Sequence, residues 1–219
     1  MATPEEINDL QERLRQAAHS QEALDEIQRF AAGLGKTRQR QEFFNTEGVL
    51  LVPPIYHQEA MERRLVSEEE DAFTLLQGDV IFTRSAYFMG ERLTETYYLV
   101  ASATCDLVPQ RRQYAALFPL HRITPDDPNA KSLLGELLAF KSTRRMYLPP
   151  LPEDPENVLA NAIEFDGIAQ ARLEDILLAN RVASLGAIGW HILAAHLRSL
   201  FSRTGDSEVW LRRNWQSLE

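Results

Sequence analysis

Three runs of β-branched and aromatic residues follow one another within about fifty residues, and this spacing constrains the fold more than any other feature of the chain. The first lies in 75–88, where Gly78-Asp79 makes a turn ahead of Val80-Ile81-Phe82. The second is the apolar stretch within 96–108, and the third is 113–123. Strands joined so closely indicate a small antiparallel barrel or sandwich. A fourth strand is expected in 144–152, ended by Pro149 and Pro150. Segment 152–185 adds a turn, a strand around Ala162 to Phe165, and a second strand or short helix around Leu173 to Ala179.

Helical patterning flanks this region. Thr3 is placed to cap a helix, Pro4 fits its first position, and Glu6 completes a capping box. Ile7, Leu10, Leu14, Ala17, Leu24, Ile27 and Ala31 then recur as one apolar stripe, with Ser20 dividing two helices and Gly33 and Gly35 ending the second. Lys36, Arg38 and Arg40 suit a helix end or a following short helix. A helix is expected from Tyr56 to about Leu65, with the acidic run 67–71 as a solvated turn or helix start behind it. Residues 124–141 hold another short helix, and 186–205 form one that is apolar on nearly every face, hence buried, and closed by Gly205. The expected fold is α+β, with a helical extension over 1–72, a small β-barrel and its C-terminal packing helix over 73–205, and a tail over 206–219.

The chain of 219 residues is 44% hydrophobic and 25% charged, the composition of a cored globular protein. Its formal net charge of -9 argues against a surface that is everywhere a nucleic-acid footprint. The N-terminus has neither the basic nor the apolar region of a signal peptide, no apolar run reaches membrane-span length, and the single cysteine makes no internal disulfide. A cytoplasmic protein with no membrane association is expected. His191 and His196 stand five residues apart, the wrong spacing for a helical metal pair, and Gly-rich phosphate loops, Gly-x-Ser-x-Gly and Cys-x-x-Cys are all absent. Neither metal nor cofactor is expected. Cys105 reads as a small buried hydrophobe at a strand end. Asp106 beside it needs a partner, and Arg181 is the expected one, the three making a structural or groove-lining set.

From Gly78 onward the order of elements resembles the SH3-like barrel of the PemK/MazF family of bacterial growth inhibitors. The matching residues are Gly78-Asp79-Val80, Tyr98 to Ser102, Phe118-Pro119, Asp166-Gly167-Ile168-Ala169 ahead of a return strand, and the helix from about 187 to 203. The chain is also similar to uncharacterised bacterial and phage-associated proteins that share Ser-x-Thr-Cys-Asp, Leu-Pro-Pro, Arg-Val-Ala-Ser-Leu and Phe-x-Arg-x-Gly, here at 102–106, 148–150, 181–185 and 201–205. That second likeness brings no known activity.

In the toxin family the resemblance implies metal-independent RNA cleavage by an Arg-Pro pair before the second strand and a Thr or Ser after the third-strand proline. Such chemistry needs a cation to offset phosphorane charge and a group to move protons. This chain has Thr96-Tyr97 and Leu120-His121 at those positions. The expected function is therefore a non-catalytic protein-binding or regulatory component of a bacterial defence or toxin–antitoxin type system, with CRISPR-associated operons one such setting. Its partner is another protein, met through the barrel groove or, unless the stripe packs on the barrel as an intramolecular brace, through the helical stripe at Ile7, Leu10, Leu14, Leu24 and Ile27; a homodimer also fits the resemblance. The alternative is an endoribonuclease rebuilt around His121, Arg92, Glu95 and Arg122, the only reading in which RNA is a substrate. Nucleic-acid binding without chemistry would rest on Arg111, Arg112, Arg144 and Arg145.

Overall fold

A computed structural model describes residues 2–17, 21–67, 72–92, 96–108, 111–201, 210, 213 and 214. The capping box forms as read: Thr3 Oγ1 accepts from the Glu6 amide and the Glu6 carboxylate accepts from the Thr3 amide. It starts α1 (Pro4–Gln16), followed by α2 (Gln21–Gly33) and α3 (Thr37–Phe44). The break between α1 and α2 brackets the expected divider Ser20, which lies outside the described residues. Next come β1 (Leu51–Val52), α4 (His57–Glu62), β2 (Asp79–Phe82), β3 (Tyr87–Phe88), β4 (Glu91–Arg92), β5 (Tyr97–Val100) and the long β6 (Tyr114–Ile123). The rest is α5 (Ala130–Leu137), β7 (Arg145–Leu148), β8 (Ala160–Glu164), β9 (Ala169–Arg172), α6 (Leu173–Ile176), β10 (Asn180–Leu185) and α7 (Ala187–Phe201). The acidic run expected behind α4 and the closing Gly205 fall mainly or wholly outside the described residues.

Every strand pairing is antiparallel, in the order β1-β10-β2-β5-β6-β9-β3-β4. β8 lies on the same edge of β6 as β9, pairing residues 120–123 where β9 pairs 114–117, and β7 lies outside β8. The sheet curls. β2 and β3 stand four steps apart on the path, about 19 Å on a flat sheet, yet only residues 83–86 join them. The protein is thus a mixed α+β fold around a curled antiparallel sheet.

Both faces of that sheet are covered, which is why β5 is buried at all four positions instead of alternating. Within the curl, Ile81, Tyr98, Val100, Leu117 and Ala169 pack with Ile176 of α6. The Tyr98 hydroxyl there has no hydrogen-bond partner among the described residues, and burial pushes its pKa up. On the other face, Val80, Leu99, Phe118 and the β7–β8 pair share one core with α1, α2, α3, α5 and α7. Leu10, Leu14 and Ile27 are fully buried in this core and Leu24 nearly so, while Ile7 packs against it. Of the two uses expected for the stripe, intramolecular brace or partner surface, the packing is that of the brace, because α1 and α2 lay it against each other and α7. α7 comes unusually close to the backbone: a Cβ at Gly189 would sit 2.6 Å from the Leu50 carbonyl oxygen.

Two readings of strand extent need correction. The second strand stops at Val100, since the chain turns at Ala101 and closes a 3-10 turn over Thr104–Asp106; Cys105 is therefore exposed, not buried at a strand end. The Arg-Val-Ala-Ser-Leu segment, given no element from sequence, is β10, the strand between β1 and β2. Among the described residues no helix is long and apolar enough to cross a membrane.

Candidate functional site: a proline-lined groove

β1 ends after two residues because Pro53 and Pro54 bring no N–H to a ladder, so the sheet edge beyond β10 stays open. On the facing side Pro149, Pro150 and Pro152 follow β7. Between these two proline segments lies a groove of about 320 Å³, floored by Val182 and Ala183 of β10. It continues past the shared Val52, Pro53 and Pro54 into a second hollow of about 390 Å³ along Ile55, Tyr56 and α4. Ile55 and Tyr56 are exposed there, as is Leu65 at 73%. The result is an open apolar surface with a few polar groups at its rim, the composition that suits an extended or helical segment of another chain.

A buried ion pair holds the Ile55–Tyr56 wall. Arg181 is opposite Ile81 across β10 and β2, which puts its guanidinium beside the carboxylate of Asp79, Nη2 to Oδ2 2.9 Å. The same guanidinium donates to the carbonyls of Ile55, 2.7 Å, and Thr74, 3.0 Å, and lies over the Tyr56 ring. Asp79 accepts further from Ser184 Oγ and the Leu76 amide, while Ser184 Oγ accepts from the Ile55 amide. Burial pushes the Asp79 carboxyl up, outweighing these donors and the arginine. A second cluster fixes the Pro152 wall: the fully buried Asp154 carboxylate accepts from Arg122 Nε, Asn161 Nδ2 and the Leu151 amide at 2.6–2.8 Å. Next to it Tyr97 donates to Glu153 and lies under the Arg122 guanidinium. Burial is the main cause that pushes the Tyr97 pKa up, aided by the Glu153 carboxylate.

The residues singled out from sequence are distributed otherwise than expected. Arg181 pairs with Asp79 and not with Asp106, which sits on the exposed 3-10 turn 3.5 Å from Arg112. His121 and Arg122 are neighbours on β6 and so face opposite sides of the sheet. His121 is exposed, whereas Arg122 is engaged by Asp154, so they do not converge on one phosphate. Arg92 lies in β4, at the far end of the strand order from β10, and Glu95 lies outside the described residues. Of the proposed basic set, Arg111 donates to the Cys105 carbonyl, and Arg112, Arg144 and Arg145 face Asp106, Asp166 and Glu164.

No family model, curated protein or solved structure matches this chain. The groove is therefore interpreted from its own chemistry. Sequence reading passed over its makers, since Pro149-Pro150 were read only as a strand end, Pro53-Pro54 were given no role, and Asp79 was read only as a turn residue. The available signal was a carboxylate inside an apolar strand, which demands a buried partner.

Proposed function

We propose that the protein is a non-catalytic, protein-binding or regulatory component built on a PemK/MazF-like, SH3-like barrel, working in a bacterial defence or toxin–antitoxin type system. The proline-lined groove takes an extended or helical segment of a partner protein. One observation carries this reading: two proline segments wall an apolar floor beside exposed Ile55 and Tyr56, and buried ion-pair networks made within the chain hold both walls in place. Preformed walls lower the ordering cost of binding. The resemblance supports the barrel assignment, and the separation of His121 from Arg122 supports the absence of phosphodiester chemistry.

Two assays test it, one with purified protein and one in the host. Incubated with a mixed RNA pool, the wild-type chain is expected to leave the RNA intact; cleavage that disappears in His121→Ala defeats the non-catalytic reading. In the host, a defined protein should co-purify with the wild type and be lost with Ile55→Asp, a substitution at an exposed groove position. Equal recovery with both chains, or recovery only of a second copy of the chain through another face, removes the groove from the account.

A further inference from the structure

A separate cavity of about 520 Å³ opens between α2, the α5–β7 turn and the C-terminal half of α7, and it shares no lining residue with the groove. One wall is the turn itself, which presents Lys141, Ser142, Thr143 and Arg144. The turn has a fixed shape. Phe140 takes a φ of 53°, in the left-handed region, as the chain leaves α5; its carbonyl accepts from Gln28 Nε2 at 2.9 Å, and Ser142 Oγ accepts from the Arg144 amide. Holding a non-glycine residue at positive φ is costly, and such positions cluster where a binding segment must be pre-shaped.

The facing wall of α7 brings His196 and Ser199. His196 is only 5% exposed, packs 5.0 Å from the Phe165 ring, and its ring makes no hydrogen bond to a described residue, although it lines a polar cavity. Buried polar side chains are nearly always paired, so an unpaired one at a cavity wall marks a place for a ligand group. Burial lowers its pKa to about 4, which leaves a neutral ring that offers one donor and one acceptor at pH 7.

Charge narrows the ligand. The lining holds two cations, Lys141 and Arg144, against one carboxylate, Asp166, in a chain whose net charge is -9. The Arg144–Asp166 pair is 3.5 Å apart with both side chains largely exposed, so it is weak and a bound anion can replace the carboxylate. Two cations bracketing two hydroxyls match phosphate oxygens, and Leu24, Phe140 and Leu200 provide an apolar bed beside them.

We infer that this cavity binds a small phosphomonoester, its phosphate on the Lys141–Arg144 turn and its hydroxylated or heterocyclic body against His196 and Ser199.

Calorimetric titration of the full-length chain with AMP, ribose 5-phosphate, adenosine and inorganic phosphate tests this. Saturable binding of one AMP or ribose 5-phosphate per chain, tighter than adenosine and inorganic phosphate, is expected. Lys141→Ala with Arg144→Ala, both exposed positions, should weaken it at least about tenfold while the thermal midpoint stays unchanged. Ser199→Leu, which fills the cavity from a surface helix position, should abolish it. Absence of binding by both esters at millimolar concentration overturns the inference. So does affinity undiminished in the double variant, or inorganic phosphate binding as tightly as the esters.

Discussion

At the scale of single residues, a few buried charges hold the structure's irregular segments in place. Asp79 and Arg181 tie residues 55–56 and 74–76 to the sheet, and removing one partner strands the other as an uncompensated buried charge. Arg181→Met is expected to destabilise the fold by about 3–5 kcal/mol. Asp79→Asn with Arg181→Met should recover much of that loss, a non-additivity that denaturant titrations of the two single variants and the double variant would measure. His196 gives a pH signature. Its pKa is near 4 in the fold and 6.5 in the unfolded chain, so between these values the unfolded state holds more protons and stability falls as pH is lowered. Lowering pH from 7.5 to 5.5 should cost the wild type about 1.3 kcal/mol more than a His196→Leu variant. Equal slopes would contradict the burial assigned to this ring. Asp79 has the opposite sign: its raised carboxyl contributes stability below its unfolded pKa and loses it as pH rises through the folded one.

At the scale of elements, close packing decides which positions tolerate change. Gly189 lets α7 rest on the Leu50 carbonyl, so Gly189→Ala should destabilise by roughly 1–3 kcal/mol through overpacking, although alanine is the better helix former. A neutral or stabilising result in thermal melts would show that α7 sits farther from β1 than described. The elements most legible in sequence were those with local signals. The Thr3-Pro4-Glu6 cap announced α1, Gly78-Asp79 announced β2, and the prolines ended β7. β10 escaped because Val182 to Leu185 are buried on both faces, leaving no alternation to read. The short strands β1, β3 and β4 escaped because two residues carry no periodicity. The Asp79–Arg181 pair was missed for a related reason: it is made by register between β10 and β2, a long-range fact, whereas Asp106 was nearer in the pattern. The groove suffered likewise, since its walls come from segments about a hundred residues apart that only the sheet brings together.

For the whole molecule, the two cores lie on opposite faces of one sheet and the N-terminal helices belong to the larger. The chain should therefore unfold in one cooperative transition, and deletion of residues 2–33 should abolish that transition instead of leaving a folded barrel. A deletion variant with an intact cooperative melt would make α1 and α2 a dispensable extension. With the stripe at Leu10, Leu14 and Ile27 buried, the proposed docking surface is the open, proline-lined groove. A photo-reactive amino acid placed at position 55 or at position 121 of the chain, crosslinked in the host and read by mass spectrometry, asks which face meets another macromolecule. Adducts from position 55 on one defined protein segment, with none from position 121, are expected; RNA adducts from position 121 with position 55 silent would contradict the account.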